Sequence, residues 1–338
     1  MTLSQIAREV GVCKATVSLV LNGKAKQHHI SDSTIRTVED YCRTIKYRPN
    51  IHAIRIGRKI VGNVMLLLNT GDRYSRANSF SDYNVAQITG GIAREARTEG
   101  CSLAVRVFDE GVSGELVFNS FRNREIDGMI YYGTAVPEDW MRVFREERCK
   151  VVGIGIRPQD GISSVNIDNR EISRALTAEL IAAGRRNFRY FAGPGSSYPG
   201  AERYAGFLEA LEAAGIPWSG RRCFEADFDE NTAFGLTEKL LAGKAAPPDA
   251  VVCANDSMAI GVIRALRRHG VEVPGRVAVA GGDNIMTAGY LSPALTTFVI
   301  RAEAMGVAAF RLLDRLVRGG SPPRDIVLRS AIVRRASA

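Results

Sequence analysis

Residues 2–45 carry a pattern that few folds accommodate: two short amphipathic helices closed by a sharp turn, then a longer third. Thr2 with Gln5 three residues on is a capping-box pair, so a helix is expected from Leu3. Ile6, Ala7 and Val10 give that helix one apolar face. Gly11 sits where the chain must turn sharply, and glycine tolerates the positive φ such a turn often needs. Val12 closes the angle between the helices. Cys13 stands at the N-cap of the second helix, a place where sulfur caps poorly. Val17, Val20 and Leu21 form that helix's buried face, which leaves Lys14, Ala15, Thr16, Ser18, Leu19 and Asn22 on the outer one. A third helix is expected from Asp32, capped by Ser31, to Ile45. Its apolar positions Ile35, Val38, Cys42 and Ile45 have helical spacing, and Pro49 pushes Arg48 out of the α region and stops continuation.

This is the periodicity of a helix-turn-helix, whose second helix enters the major groove of DNA. Amphipathicity alone also permits a three-helix module that docks on protein. Charge favours DNA. Residues 1–60 hold 11 Lys and Arg against 4 Asp and Glu, whereas the whole chain has a net charge of +9, so the remainder is nearly neutral at +2. A basic head on a neutral body is the electrostatic footprint of a nucleic-acid-binding domain. A solubilising tail would be poor in aliphatics, and this segment is not.

The rest of the chain is long enough for further domains at 338 residues in all, and strands alternate with helices along it. Strands are expected at 64–68, 103–107, 127–132, 151–154, 188–191, 250–253 and 277–280. Helices are expected at 87–99, 115–123, 138–147, 172–183, 203–214 and 257–269. An apolar strand-like run covers 326–333. Such alternation is the signature of parallel sheets with crossover helices, and two runs of it imply two doubly wound lobes with ligands held at the strand carboxyl ends. No apolar run approaches 18 residues and no leader pattern is evident, so no membrane association is expected and the chain is placed in the cytoplasm. The six cysteines form no C-x-x-C pair and read as reduced, mostly core residues. Of four histidines only His269 lies beyond the head, at a helix end, which leaves histidine-based catalysis or metal binding little to work with. Neither catalytic nor metal-binding residues, nor a cofactor, are expected.

Residues 2–22, linked to Tyr47-Arg48-Pro49-Asn50 and Ala53-Ile54-Arg55-Ile56, resemble the N-terminus of the LacI/GalR family of bacterial transcriptional regulators almost position for position. The resemblance continues through Val165-Asn166-Ile167-Asp168-Asn169, Arg203-Tyr204-Ala205-Gly206-Phe207, Ala254-Asn255-Asp256-Ser257-Met258-Ala259, Gly281-Gly282-Asp283-Asn284 and Pro293-Ala294-Leu295-Thr296-Thr297, and so covers essentially the whole chain. It implies an N-terminal all-α helix-turn-helix domain (1–49) and a hinge helix with linker (50–60). These lead to a periplasmic-binding-protein-like α/β core (61–338) of two interleaved lobes. The first lobe is expected at 61–160 plus about 290–321, the second at 161–289 plus 322–338.

What the resemblance implies for function is a repressor of transcription that binds a pseudo-palindromic operator in double-stranded DNA as a homodimer. A small, carbohydrate-like effector held between the lobes would tune operator affinity. The matching DNA-contact positions are Thr2, Lys14, Ala15, Thr16, Ser18, Leu19, Asn22, Asn50, Ala53 and Ile56, the last standing where the family has a leucine that wedges into the minor groove. The matching effector positions are Tyr83, Asn84, Arg203, Phe228, Asn255 and Asp283. Asn, Asp and Arg together supply donors and acceptors suited to hydroxyl groups. By residue type alone Asp283 and Asn255 equally suit helix caps, Arg203 an ion pair and Phe228 a core position. Gly282 replaces the family's aromatic residue before the aspartate. Gly155 stands where many members carry a polar or acidic ligand contact, and Asp82-Tyr83-Asn84-Val85 replaces the family's Asn-Pro-Phe-Phe. Two competing classes are a sugar receptor with no DNA role, opposed by the basic head, and a nucleotide-using enzyme, for which no phosphate-binding glycine motif is present.

Overall fold

The computed structural model describes residues 2–21, 23, 25–47, 60–69, 82–107, 114–133, 135–159, 161–243 and 247–338. They fall into two compact units, Met1–Val61 and Gly62–Ala338.

The first unit is helical: α1 (Leu3–Glu9), α2 (Lys14–Leu21) and α3 (Asp32–Thr44). The capping box is formed as expected, with the Gln5 amide N–H donating to Thr2 Oγ1 at 3.3 Å and the Thr2 amide N–H to Gln5 Oε1 at 2.7 Å. Gly11 turns the chain at φ +69° with open space around its Cα, so what fixes glycine there is the left-handed backbone and not crowding. Cys13 does cap α2: its sulfur accepts from the Thr16 amide at 3.4 Å. It is exposed, unlike the core position expected of most cysteines here. Ser31 caps α3 through the Thr34 amide at 3.2 Å. Ile6, Ala7, Val17, Val20, Ala25, Val38 and Cys42 make one small core.

The second unit opens with β1 (Asn63–Asn69), α4 (Tyr83–Thr98), β2 (Ser102–Val107), α5 (Gly114–Arg122), β3 (Gly128–Gly133), α6 (Glu138–Glu146), β4 (Val151–Ile154) and β5 (Ser163–Ile167). It continues with α7 (Asn169–Ala182), β6 (Phe188–Ala192), α8 (Tyr198–Ala213), β7 (Cys223–Glu225), α9 (Glu230–Ala242), β8 (Ala250–Cys253), α10 (Asp256–Arg268) and β9 (Ala278–Ala280). The last elements are β10 (Thr297–Phe298), α11 (Ala302–Val317), β11 (Asp325–Leu328) and β12 (Ile332–Val333). One sheet runs β11-β5-β4-β3-β1-β2 and the other β7-β6-β8-β9, with parallel pairing throughout.

Strand period explains the layering. Val64, Leu66 and Leu68 of β1 join the core under α4 and α11, whereas Met65 and Leu67 face Val117, Phe118, Trp140 and Phe144 of α5 and α6. A strand covered on both faces must be apolar along its covered length, and β1 is so from Val64 to Leu68. The α4–α11 packing is close enough that a Cβ on Gly91 would lie 2.3 Å from the Glu303 carbonyl oxygen, and one on Gly306 equally near that of Ile88.

Sheet membership corrects the expected lobe boundaries. Ser163–Ile167 pairs with β4 and β11, so the chain leaves the first sheet after 167 and not at 160. Asp325–Leu328 also belongs to the first sheet, although 322–338 was expected wholly in the second lobe. The run 326–333 is therefore two strands. β11 completes the first sheet, and β12 pairs antiparallel with β10. Ser337 then returns to the second lobe, its backbone oxygen accepting from the Val279 amide at 2.8 Å.

Candidate functional site

Strand carboxyl ends from both sheets converge on one cleft. Asn69, Gly133, Gly155, Asn166 and Ile167 come from the first sheet's strand ends. Pro194, Phe228, Asn255 and Asp283 follow the strands of the second. This is where an open parallel α/β sheet holds its ligands.

The second-lobe wall is a closed network. Arg203, on the inner face of α8, is only 6% exposed. Its Nε donates to Asn169 Oδ1 at 2.9 Å and its Nη1 to the Ala254 carbonyl at 2.6 Å and to Asp283 Oδ1 at 3.2 Å. Its guanidinium lies 5.0 Å from the centroid of the Phe298 ring. Across the cleft Asn84 Nδ2 donates to Asp283 Oδ2 at 3.0 Å. Burial pushes the Asp283 carboxyl up to about 6, against the pull of Arg203 and the bond from Asn84 and with a further push from Asp82. Asp283 is therefore mostly ionised at neutral pH. Behind it, fully buried Asp256 accepts from Thr297 Oγ1 at 2.6 Å and from the Ile285 amide at 2.9 Å. Burial and the charge of Asp283 raise Asp256 to about 8, so it holds its proton at neutral pH.

Asn84, Arg203, Phe228, Asn255 and Asp283 thus all line the cleft. Tyr83 does not: it is 38% exposed at the first position of α4 and absent from the lining, a correction to its expected place. Asp82 caps α4, its Oδ1 accepting from the Asn84 and Val85 amides, and starts the helix four residues earlier than expected. In that phase Asn84 and Ile88, one turn apart, face inward together and Tyr83 turns away. Several roles left open by residue type coexist. Asn255 caps α10 through the Met258 amide at 2.9 Å and also donates to the Phe228 carbonyl at 3.2 Å. Arg203 is both ion-paired and cleft-lining. The Phe228 ring lies over Gly193, where a Cβ would be 2.2 Å from the ring.

Asn166, Asn169, Ser197 and Asp82 are cleft residues that the sequence reading did not single out. Asn166 sits in β5, whose polar sequence Ser163-Ser164-Val165-Asn166-Ile167 gives no apolar run. Asp82 was detectable as a cap two residues before Asn84.

In the first unit, Lys14 and Ala15 are exposed at the start of α2, and Thr16, Ser18 and Leu19 are half-buried. Thr2 is exposed and engaged in the capping box. Asn22, Asn50, Ala53 and Ile56 lie outside the described residues.

Residues 2–50 match the lacI family of bacterial regulatory proteins, and residues 177–338 match the periplasmic binding protein-like domain. The N-terminal domain is thus that of the lacI family of bacterial regulatory proteins, in one chain with a periplasmic binding protein-like domain. It is 28% identical to the HTH-type transcriptional regulator CelR of Thermobifida fusca, over 99% of this chain and 98% of that protein. Among solved structures it is similar to a transcriptional regulator CelR–cellobiose complex, with a TM-score of 0.74, 27% identity and complete coverage of both chains. It shares the fold of a lac repressor dimer bound to operator and the anti-inducer ONPF, at a TM-score of 0.83 and 24% identity over 100% of this chain and 98% of that one. The chain is accordingly a DNA-binding transcriptional regulator with a periplasmic-binding-protein-like core. No helix among the described residues is long and apolar enough to cross a membrane.

Proposed function

We propose that this regulator reads a pseudo-palindromic operator as a homodimer in the bacterial cytoplasm, and that a carbohydrate-like effector held in the cleft sets its operator affinity. The observation that carries the effector half is the convergence of Arg203, Asp283, Asn84 and Asn255 on one cleft at the strand carboxyl ends. Such a set offers fixed donors and acceptors to hydroxyl groups, and the similarity to a CelR–cellobiose complex makes cellobiose the first probe. The DNA half rests on α2, whose outer face carries Lys14, Ala15, Thr16, Ser18 and Leu19. Lys14 donates to a guanine edge in this reading, and Ala15 and Leu19 make apolar contact. Two half-sites follow from symmetry, since such domains bind as dimers. The described lac repressor relative is itself a dimer on operator.

The test is binding-site selection with the full chain, followed by operator titration with and without sugars. A pseudo-palindromic consensus is expected, and Lys14→Ala is expected to relax one symmetric pair of positions by about 1–3 kcal/mol. A sugar that binds raises the melting temperature and shifts operator affinity, with a coupling of about 1–3 kcal/mol. Failure to enrich any consensus would remove the DNA half. A sugar that stabilises the chain but leaves operator affinity unchanged would remove the coupling.

A further inference from the structure

Among the described residues, two side chains that line the cleft each keep an acceptor with nothing to accept from. Asn84 and Asn166 are 9% and 4% exposed, and the Oδ1 of each is buried with no hydrogen-bond partner among the described residues. Buried polar atoms in native proteins are nearly always paired, so two orphans on residues lining one cleft call for a partner that the closed wall does not supply and must shift slightly to admit. Their neighbours fix which atom of each amide is free. Asn84 Nδ2 donates to Asp283 Oδ2 at 3.0 Å, and turning that amide over would set oxygen against carboxylate. Asn166 Nδ2 donates to the Ile156 carbonyl at 3.0 Å and to Ser164 Oγ at 3.2 Å, and turning it over would set oxygen against a carbonyl. Each amide is therefore held with its acceptor unmatched.

Both residues come from first-lobe elements, α4 and β5. The Asp82 and Asp283 carboxylates line the same cleft and are acceptors too. We propose that Asn84 and Asn166 form a donor-reading subsite on the first-lobe wall. It takes ligand O–H or N–H groups and turns away phosphate and carboxylate, so that the effector is an uncharged or amine-bearing polyol. A phosphate or carboxylate at neutral pH brings acceptor oxygens and negative charge to a cleft in which Asp82 and Asp283 already supply both and Arg203, the cation among the described lining residues, is paired with Asp283. This rests on the reading of the cleft as the effector site.

The test uses the full wild-type chain, calorimetric titration and thermal shift. The probes are mono- and disaccharides, polyols and nucleosides, each beside its phosphate ester or, for aldoses, its aldonate. Glucose with glucose 6-phosphate and glucosamine, and cellobiose with cellobionate, are the core of the set. A neutral or amine-bearing compound is expected to bind, and its anionic counterpart to bind roughly tenfold more weakly or worse. Asn166→Ala is expected to weaken the compound that binds by roughly tenfold. An anionic counterpart that binds as tightly as its parent would overturn the donor-reading subsite and leave the cleft as the effector site. So would unchanged affinity in folded Asn166→Ala. Should no compound bind while the chain still selects an operator, the carbohydrate-like effector and this subsite would both fall.

Discussion

The two walls of the cleft are built on opposite principles. On the second-lobe wall, Arg203, Asp283, Asn169 and the Ala254 carbonyl satisfy one another before any ligand arrives. On the first-lobe wall, Asn84 and Asn166 are held in place through their nitrogens and left with unmatched oxygens. A closed network of buried charges fixes the geometry of the site and depends on every member being present. An open wall does little for the fold and leaves its unmet hydrogen bonds to a ligand. In the proposed reading, selection among ligands is thus concentrated on the first lobe and architecture on the second. Substitutions at the two walls should differ in both size and kind.

The largest effect is expected at Asp283. Asp283→Ala leaves the Arg203 guanidinium buried with its Asp283 partner gone, a change that typically costs about 3–5 kcal/mol. It also frees Asn84 Nδ2. Urea unfolding of the full chain should show the core transition moving to markedly lower denaturant. If the midpoint stays where it is, the network does not organise this wall and the contrast between the walls fails.

The second-lobe wall should also make stability depend on pH. Asp283 and Asp256 titrate near 6 and 8 in the folded chain, both raised by burial, and near 4 when unfolded. Below pH 4 both states hold both protons. As pH rises the unfolded chain loses them first, so stability falls through this window. Between pH 6 and 8 Asp256 alone contributes, with a slope of about 1.4 kcal/mol per pH unit. Asp256→Asn should flatten the fall in that range. Parallel curves for wild type and variant would show that the Asp256 proton is not retained on folding.

Gly282 offers a smaller perturbation of the same wall. A Cβ there would lie 2.4 Å from the Phe298 ring and 3.1 Å from the Ala254 carbonyl oxygen. Phe298 occupies the space into which a side chain at 282 would project. Gly282→Phe should therefore overpack the site at a cost of about 1–3 kcal/mol, and combining it with Phe298→Ala should recover part of that loss. A single variant as stable as wild type would mean that the wall yields more readily than its packing implies.

What was legible in the sequence divides along the same line. The capping box at Thr2 and Gln5, the turn at Gly11 and the apolar faces of α1 to α3 follow from local rules that act within a few residues. Arg203, Asn255 and Asp283 stand near strand or helix ends that the β/α alternation marks, whereas Phe228 was expected through the family resemblance alone. The first-lobe wall was harder. Tyr83 and Asn84 are adjacent, and only the helix phase set by the Asp82 cap decides which of them faces the cleft. Asn166 lies on a strand that forms because β4 and β11 flank it, and β11 is more than 150 residues away in sequence. Local propensity sees no such partner. The same long-range pairing displaced the expected lobe boundary from 160 to beyond 167 and divided the run 326–333 between two sheets.

The smallest expected effect is on the open wall and has its own signature. Asn166→Leu keeps the side chain's approximate volume and removes the orphaned Oδ1. It also deprives the Ile156 carbonyl and Ser164 Oγ of a donor. Losing two hydrogen bonds is partly offset by relieving one buried unpaired acceptor, so unfolding stability should fall by only about 1 kcal/mol. Asp283→Ala, by contrast, weakens the fold outright. Paired urea titrations of the two variants place this contrast on one scale. If Asn166→Leu destabilises the core as much as Asp283→Ala, Asn166 belongs to the architecture of the first lobe. Near-neutral stability would instead leave Asn166 on a wall whose hydrogen-bonding capacity the fold does not use.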